Sequence, residues 1–215
     1  MNLLDARRLL MATAYETQKP LPNEYQQVDF VESTGTQYID VGIIPNVTSK
    51  FIATFQFTDL NAARQFNGTY SGTGRLGFGR QSDHAQAGSL IIATIGNKLT
   101  NCFTNTDMLK HTITVLGNGY RSVDSTFALS SGITFTKQEA TFTLFAARNN
   151  NDNTQILYYS YMRLFDFRMY DDDVLIRDLI PCYRKSDGKI GLYDTVENKF
   201  YTNEGTGEFL KGEDV

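Results

Sequence analysis

Between Phe51 and Thr58 apolar and polar side chains alternate. Phe51, Ala53, Phe55 and Phe57 fall on one side of an extended chain, and Ile52, Thr54, Gln56 and Thr58 on the other. A period of two is that of a β-strand with one buried face; a helix would scatter these phenylalanines around its circumference. Such a strand needs a second layer to cover its aromatic side, which points to two stacked sheets. Further runs of strand character, Leu90–Ile95, His111–Leu116, Thr141–Ala146 and Ile156–Tyr170, are separated by Gly, Asn, Asp and Ser. Leu116-Gly117-Asn118-Gly119-Tyr120 carries the Asn-Gly pair favoured in tight hairpins. Tyr158–Leu164 is apolar on both parities, as in a central strand, and the continuation sets Phe165, Phe167 and Met169 opposite Asp166, Arg168 and Tyr170. The expected fold is all-β, a two-sheet antiparallel β-sandwich.

The start of the chain breaks this pattern. Leu3–Tyr15 is built from good helix formers, with Leu3, Ala6, Leu10 and Ala14 at helical spacing. A helix this short gains stability only by burial, either on the sandwich itself or on a neighbouring subunit. Leu3, Leu4, Arg7, Leu10 and Met11 are the expected contact residues of this assembly arm. Lys19-Pro20-Leu21-Pro22-Asn23 then reads as an extended linker, because both prolines disfavour helix. The chain divides into a helical arm and linker over 1–23 and a sandwich over 24–215.

Composition narrows the function classes. The 15 Phe and 12 Tyr supply ample volume for a packed interior. A net charge of −4 without a basic block argues against a nucleic-acid partner. Cys102 and Cys182 lie far apart, without the spacing of a zinc site, and read as buried free thiols. Ala12-Thr13-Ala14 imitates a signal-peptidase site, but Asp5, Arg7 and Arg8 interrupt the apolar stretch such a signal needs. No run approaches the roughly 20 apolar residues of a membrane helix. Synthesis in the cytoplasm, with no membrane partner, is therefore expected.

Catalytic constellations are weakly represented. A glycosidase of sandwich architecture would place carboxylates two residues apart on one strand face, and no such E-x-D-x-E triplet occurs. Asp166 stands among apolar neighbours, and Asp171-Asp172-Asp173 follows a strand end, where a solvated turn is a simpler reading than a Ca²⁺ site. His84 and His111 are the only histidines, and no nucleophile elbow accompanies them. His111 alternates with Ile113 and Val115 and reads as a core-facing or edge residue. Gly72-Thr73-Gly74-Arg75-Leu76-Gly77 loosely imitates a dinucleotide fingerprint but lies between strands, as a turn. Sugar binding wants an aromatic platform beside Asn or Arg on loops. Tyr70, Tyr120 with Arg121, and Arg148 with Asn150 in the Asn149–Asn153 loop are the candidates.

Ser33-Thr34-Gly35-Thr36-Gln37-Tyr38-Ile39-Asp40, the strand Lys50–Phe57, the Asn-Gly hairpin and Met162–Asp171 together resemble the LamG-like, concanavalin A-like jelly roll. The tail Asp178-Leu179-Ile180-Pro181-Cys182-Tyr183-Arg184, with Gly191-Leu192-Tyr193-Asp194, Phe200-Tyr201-Thr202-Asn203 and Gly205-Thr206-Gly207, resembles a variety found in structural proteins of phages and prophages of gut Gram-positive bacteria. The opening Leu3-Leu4-Asp5-Ala6-Arg7-Arg8 resembles the start of such virion proteins. The resemblance implies a homo-oligomeric, non-catalytic virion component of a tail, baseplate or head decoration, without cofactor. Its arm would meet other virion proteins or itself, and its sandwich a bacterial surface polysaccharide. A bacterial lectin-like protein and a glycan-degrading enzyme are the alternatives.

Overall fold

The computed structural model describes residues 20–82 and 90–215. The helical arm expected over Leu3–Tyr15, with its contact residues Leu3, Leu4, Arg7, Leu10 and Met11, lies outside the described residues, as does His84. In chain order the strands are β1 (Tyr25–Gln27), β2 (Val31–Thr34), β3 (Ile39–Asp40), β4 (Ser49–Phe57), β5 (Arg64–Tyr70), β6 (Arg75–Gln81), β7 (Leu90–Gly96), β8 (Lys98–Asn105), β9 (Lys110–Leu116) and β10 (Tyr120–Val123). They continue with β11 (Thr126–Leu129), β12 (Thr143–Leu144), β13 (Ala147–Asn149), β14 (Ile156–Leu157), β15 (Tyr161–Asp171), β16 (Val174–Arg184), β17 (Ile190–Asp194), β18 (Lys199–Thr202) and β19 (Leu210–Lys211).

The protein is an all-β sandwich. Its larger sheet runs β11-β10-β9-β4-β15-β16-β17-β18, with β2 also beside β15, β19 beside β2 and β1 beside β16. The smaller sheet runs β14-β13-β5-β6-β7-β8, and β3 pairs with β12 in a short ribbon. Pairing is antiparallel apart from β13, which lies parallel to β5. The chain reaches β13 from the ribbon strand β12 and not from a hairpin, so nothing forces an antiparallel return.

The alternation in β4 does what its period demands. Phe51, Ala53, Phe55 and Phe57 are buried, facing Leu76, Phe78, Ile91, Ala93 and Ile95 of the smaller sheet within one core. Phe51 sits at its centre, its ring centroid 5.6 Å from Phe78, 5.3 Å from Phe142 and 6.0 Å from Phe167. The Asn-Gly hairpin joins β9 to β10, with the Gly119 N–H donating to Leu116 O at 3.1 Å. Asp172 and Asp173, both at positive φ, form the two-residue turn between β15 and β16.

Two expected strands are interrupted. Thr141–Ala146 contains only β12, because Phe145 takes φ 66° so that its N–H reaches Asn67 Oδ1 at 2.5 Å. Ile156–Tyr170 splits into β14 and β15 at Tyr158, whose φ is 53°. Both residues are driven into the left-handed region by tertiary contacts that no local breaker announces.

The two segments carrying the family resemblance meet although about 165 residues separate them. Tyr38 N–H donates to Asn203 Oδ1 at 3.2 Å, Glu204 N–H to Tyr38 O at 2.9 Å, and Thr206 N–H to Thr36 O at 3.1 Å. Asn203 Oδ1 also accepts from Gly205 N–H, so one carboxamide shapes the turn and locks it to the Ser33–Asp40 segment. Pro181 stands mid-strand in β16 without harm. β15 pairs with β16 only as far as Leu179 and β1 begins at Cys182, so Pro181 lies at the changeover between neighbours, its carbonyl accepting from the Val28 N–H at 3.0 Å. Cys102 and Cys182 are buried free thiols, and burial pushes both up to about 12, which leaves them unreactive.

Candidate functional site

Strand register determines what the smaller sheet shows on the side away from the core. Phe66 of β5 lies beside Gly79 and then Ile92, while Gly68 lies beside Gly77 and then Thr94. Phe66, Ile92 and Ala147 form a second apolar cluster, separate from the main core, with Tyr70, Leu99 and Tyr158 packed against it. The Phe66 and Tyr70 rings pack together at 5.0 Å between centroids. Tyr158 completes the group, 5.9 Å from Phe66 and 4.9 Å, edge-on, from Tyr70. Its positive φ is coupled to its carbonyl, which accepts from the Phe66 N–H at 2.9 Å.

Two arginines flank this aromatic patch. Arg64 donates from Nη1 to the Tyr158 hydroxyl at 3.1 Å and lies over that ring. Arg75 lies over Tyr70, 5.6 Å from the ring centroid. The asparagine-rich loop after β13 docks onto the β5–β6 turn. Asn150 N–H donates to Tyr70 O at 2.7 Å and Asn150 Nδ2 to Ser71 O at 2.9 Å. Lys137, Gln138 and Glu139 face Asn150–Asn153 across an open polar cleft of about 660 Å³. One end of the sandwich thus combines tyrosine rings, guanidinium groups and a polar cleft, the side-chain chemistry that holds hydroxyl-rich ligands.

The structure brings together three of the sequence candidates, Tyr70, Arg148 and Asn150. Only Tyr70 presents a ring to the outer face. Asn150 is engaged in anchoring its loop, and Arg148 donates to Asp40 Oδ2 and Asn153 O, both at 2.8 Å, so both act by positioning. Tyr120 and Arg121 are a correction. They lie in β10 and are buried, Arg121 donating to Asn101 O at 2.8 Å and Ser130 Oγ at 2.8 Å, and do not form an exposed platform. Tyr158 and Arg75 were missed, the first inside what reads as one long strand, the second inside a glycine-rich turn. No sequence signal marks the break at Tyr158. A lone arginine opening a strand directly after a Gly-x-Gly turn was the available hint for Arg75.

A second aromatic and cationic group lies on the larger sheet, where the Lys110 ammonium is 3.9 Å from the Phe165 ring and Arg163 lies over Phe30. There Arg163 is paired with Glu32 at 2.7 Å. Nearby, Arg168 bridges Asp166 at 3.6 Å and Asp178 at 3.3 Å. Burial pushes the Asp166 carboxyl up, Arg168 opposes this and Asp178 adds to it. Asp171 accepts from Asn46 and Thr48, and Asp173 from Lys50, so these two carboxylates of the run point to different partners and brace the hairpin.

His111 is buried with each ring nitrogen on a different carboxylate, Nδ1 at 2.8 Å from Asp124 and Nε2 at 2.9 Å from Asp107. Burial pulls its pKa down, but the hydrogen bonds to Asp124 and Asp107 outweigh it and the net direction is up. The stabilisation from the cation is therefore complete below the ordinary imidazole value of about 6.5 and is lost as pH rises through the higher folded value. The melting temperature is expected to fall as pH rises above about 6.5, and His111→Gln to flatten that slope. An unchanged slope in the variant would remove His111 as the cause.

Comparison with protein-family models, with curated proteins and with solved structures finds no match to this chain.

Proposed function

We propose that the protein is a non-catalytic binding module of the LamG-like kind, a virion structural component of a phage tail, baseplate or head decoration. Its Tyr70 and Tyr158 rings, backed by the buried Phe66, take a glycan of the bacterial surface, and its N-terminal arm serves assembly in a homo-oligomer. The binding half is supported by one observation: two half-buried tyrosine rings, Tyr70 and Tyr158, seated on the buried Phe66 between two arginines, beside a polar cleft. Rings offer their faces to the C–H surface of a sugar, and the surrounding amides and guanidinium groups suit its hydroxyls. The virion half is supported by the tail and opening motifs, Pro181-Cys182-Tyr183-Arg184, Gly191–Asp194 and Leu3–Arg8.

The test is binding of fluorescently labelled protein to Gram-positive cells before and after their wall polysaccharide is stripped. Wild type and a chain lacking residues 1–19 are expected to bind intact cells and lose binding on stripping. Tyr70→Ala is expected to weaken binding about tenfold, the scale of one lost ring contact. Binding that survives stripping, or that ignores Tyr70, would contradict the glycan reading. Retained assembly in the truncated chain would contradict the role given to the arm.

A further inference from the structure

The arginines of the described residues are, with one exception, engaged. Arg148, Arg163, Arg168, Arg177 and Arg184 pair with carboxylates, and Arg64, Arg80 and Arg121 donate to a tyrosine hydroxyl, a main-chain carbonyl or a serine. Arg75 is the exception. Its Nε is buried with no hydrogen-bond partner, and no carboxylate pairs with it; its one neighbour of note is the Tyr70 ring. Burial pulls its proton affinity down, as expected of a cation lacking a counter-charge. Glu139 and Asp152 belong to the adjoining cleft and form no ion pair with it. With Nε buried and no carboxylate beside the group, the Nη groups, which are not buried orphans, are left to receive an anion's oxygens.

We propose that Arg75 is the anion contact of this platform, so that the glycan it takes is acidic, carrying a phosphodiester or a carboxylate beside the sugar that lies on Tyr70. This rests on the glycan reading and narrows it. In it Tyr70 supplies contact with the ring and Arg75 supplies selection by charge, two contributions that separate by mutation.

The experiment is isothermal titration of the intact protein with poly(glycerol phosphate), polygalacturonate and dextran, at low and high salt. Wild type is expected to bind at least one of the anionic polymers about tenfold tighter than dextran, with the preference shrinking as salt rises. Whichever anionic polymer binds tighter identifies phosphate or carboxylate as the source. Arg75→Gln is expected to reduce anionic binding to the dextran level, Arg75→Lys to keep part of it, and Tyr70→Ala to weaken every polymer that binds. Equal affinity for neutral and anionic polymers, or an Arg75→Gln protein with undiminished anionic preference, would overturn the charge selection and leave the platform standing. Binding to none of the three would overturn the platform as well.

Discussion

Asp194→Ala is expected to destabilise the sandwich by about 3–5 kcal/mol, the usual result of removing one partner from a buried ionic network. Asp194 is fully buried, and its Oδ1 accepts from the N–H groups of Asp178 at 3.1 Å and Val196 at 2.9 Å. Its Oδ2 faces Arg177 Nε at 3.5 Å, and Arg177 continues to Glu197 at 2.8 Å, whose carboxylate accepts from the Tyr201 hydroxyl. Burial raises the Asp194 pKa, while the two main-chain donors and Arg177 oppose the rise. Alanine leaves two buried N–H groups without acceptors and Arg177 with Glu197 as its remaining carboxylate. Asp194→Asn keeps the Oδ1 acceptor but turns a donor toward Arg177, so an intermediate loss is expected. Urea unfolding of the three proteins measures this directly, and equal midpoints would show that the network contributes nothing.

Phe51→Ala is expected to cost a comparable amount, about 3–5 kcal/mol, for a different reason. The ring of Phe51 is fully buried and touches both layers, Phe167 on its own sheet and Phe78 on the other, with Phe142 closing the gap. Its removal leaves a cavity at the seam between sheets, where two β-layers cannot collapse together without sliding all their strands. Phe51→Leu fills most of the volume and is expected to recover more than half of the loss. Val174→Ala, at the exposed β15–β16 turn, serves as the control and is expected to change stability by less than about 0.5 kcal/mol. Against a typical net stability of about 5–15 kcal/mol, either Phe51→Ala or Asp194→Ala brings the fold near its limit.

These two residues also mark how far the sequence could be read. Phe51 belongs to an alternating run whose period of two specifies strand and buried face together, and the Asn-Gly and Asp172-Asp173 turns follow from local chemistry as directly. Asp194 stands out only through a resemblance, and its task, capping a turn and pairing with Arg177, depends on side chains distant in sequence. The breaks at Phe145 and Tyr158 were illegible because neither is Gly, Asn or Pro. Their positive φ values are imposed by Asn67 Oδ1 and by the Phe66 N–H. The candidate site suffers from the same limit. Tyr70 and Asn150 were recognisable as loop-end residues, but the parallel pairing of β13 with β5 that joins them has no local signature. Tyr120 and Arg121 looked like a loop platform because they follow a hairpin turn, whereas β10 carries both straight into a buried position.

In the proposed role, glycan is held at the outer face of the smaller sheet. Nuclear magnetic resonance on isotope-labelled protein, titrated with solubilised Gram-positive wall polysaccharide, locates that place without mutation. Shifts concentrated at Phe66, Tyr70, Arg75, Tyr158 and the Asn149–Asn153 loop are expected. Shifts centred instead on Phe30, Lys110 and Phe165 of the larger sheet, or a spectrum that does not change at saturating polysaccharide, would contradict that role.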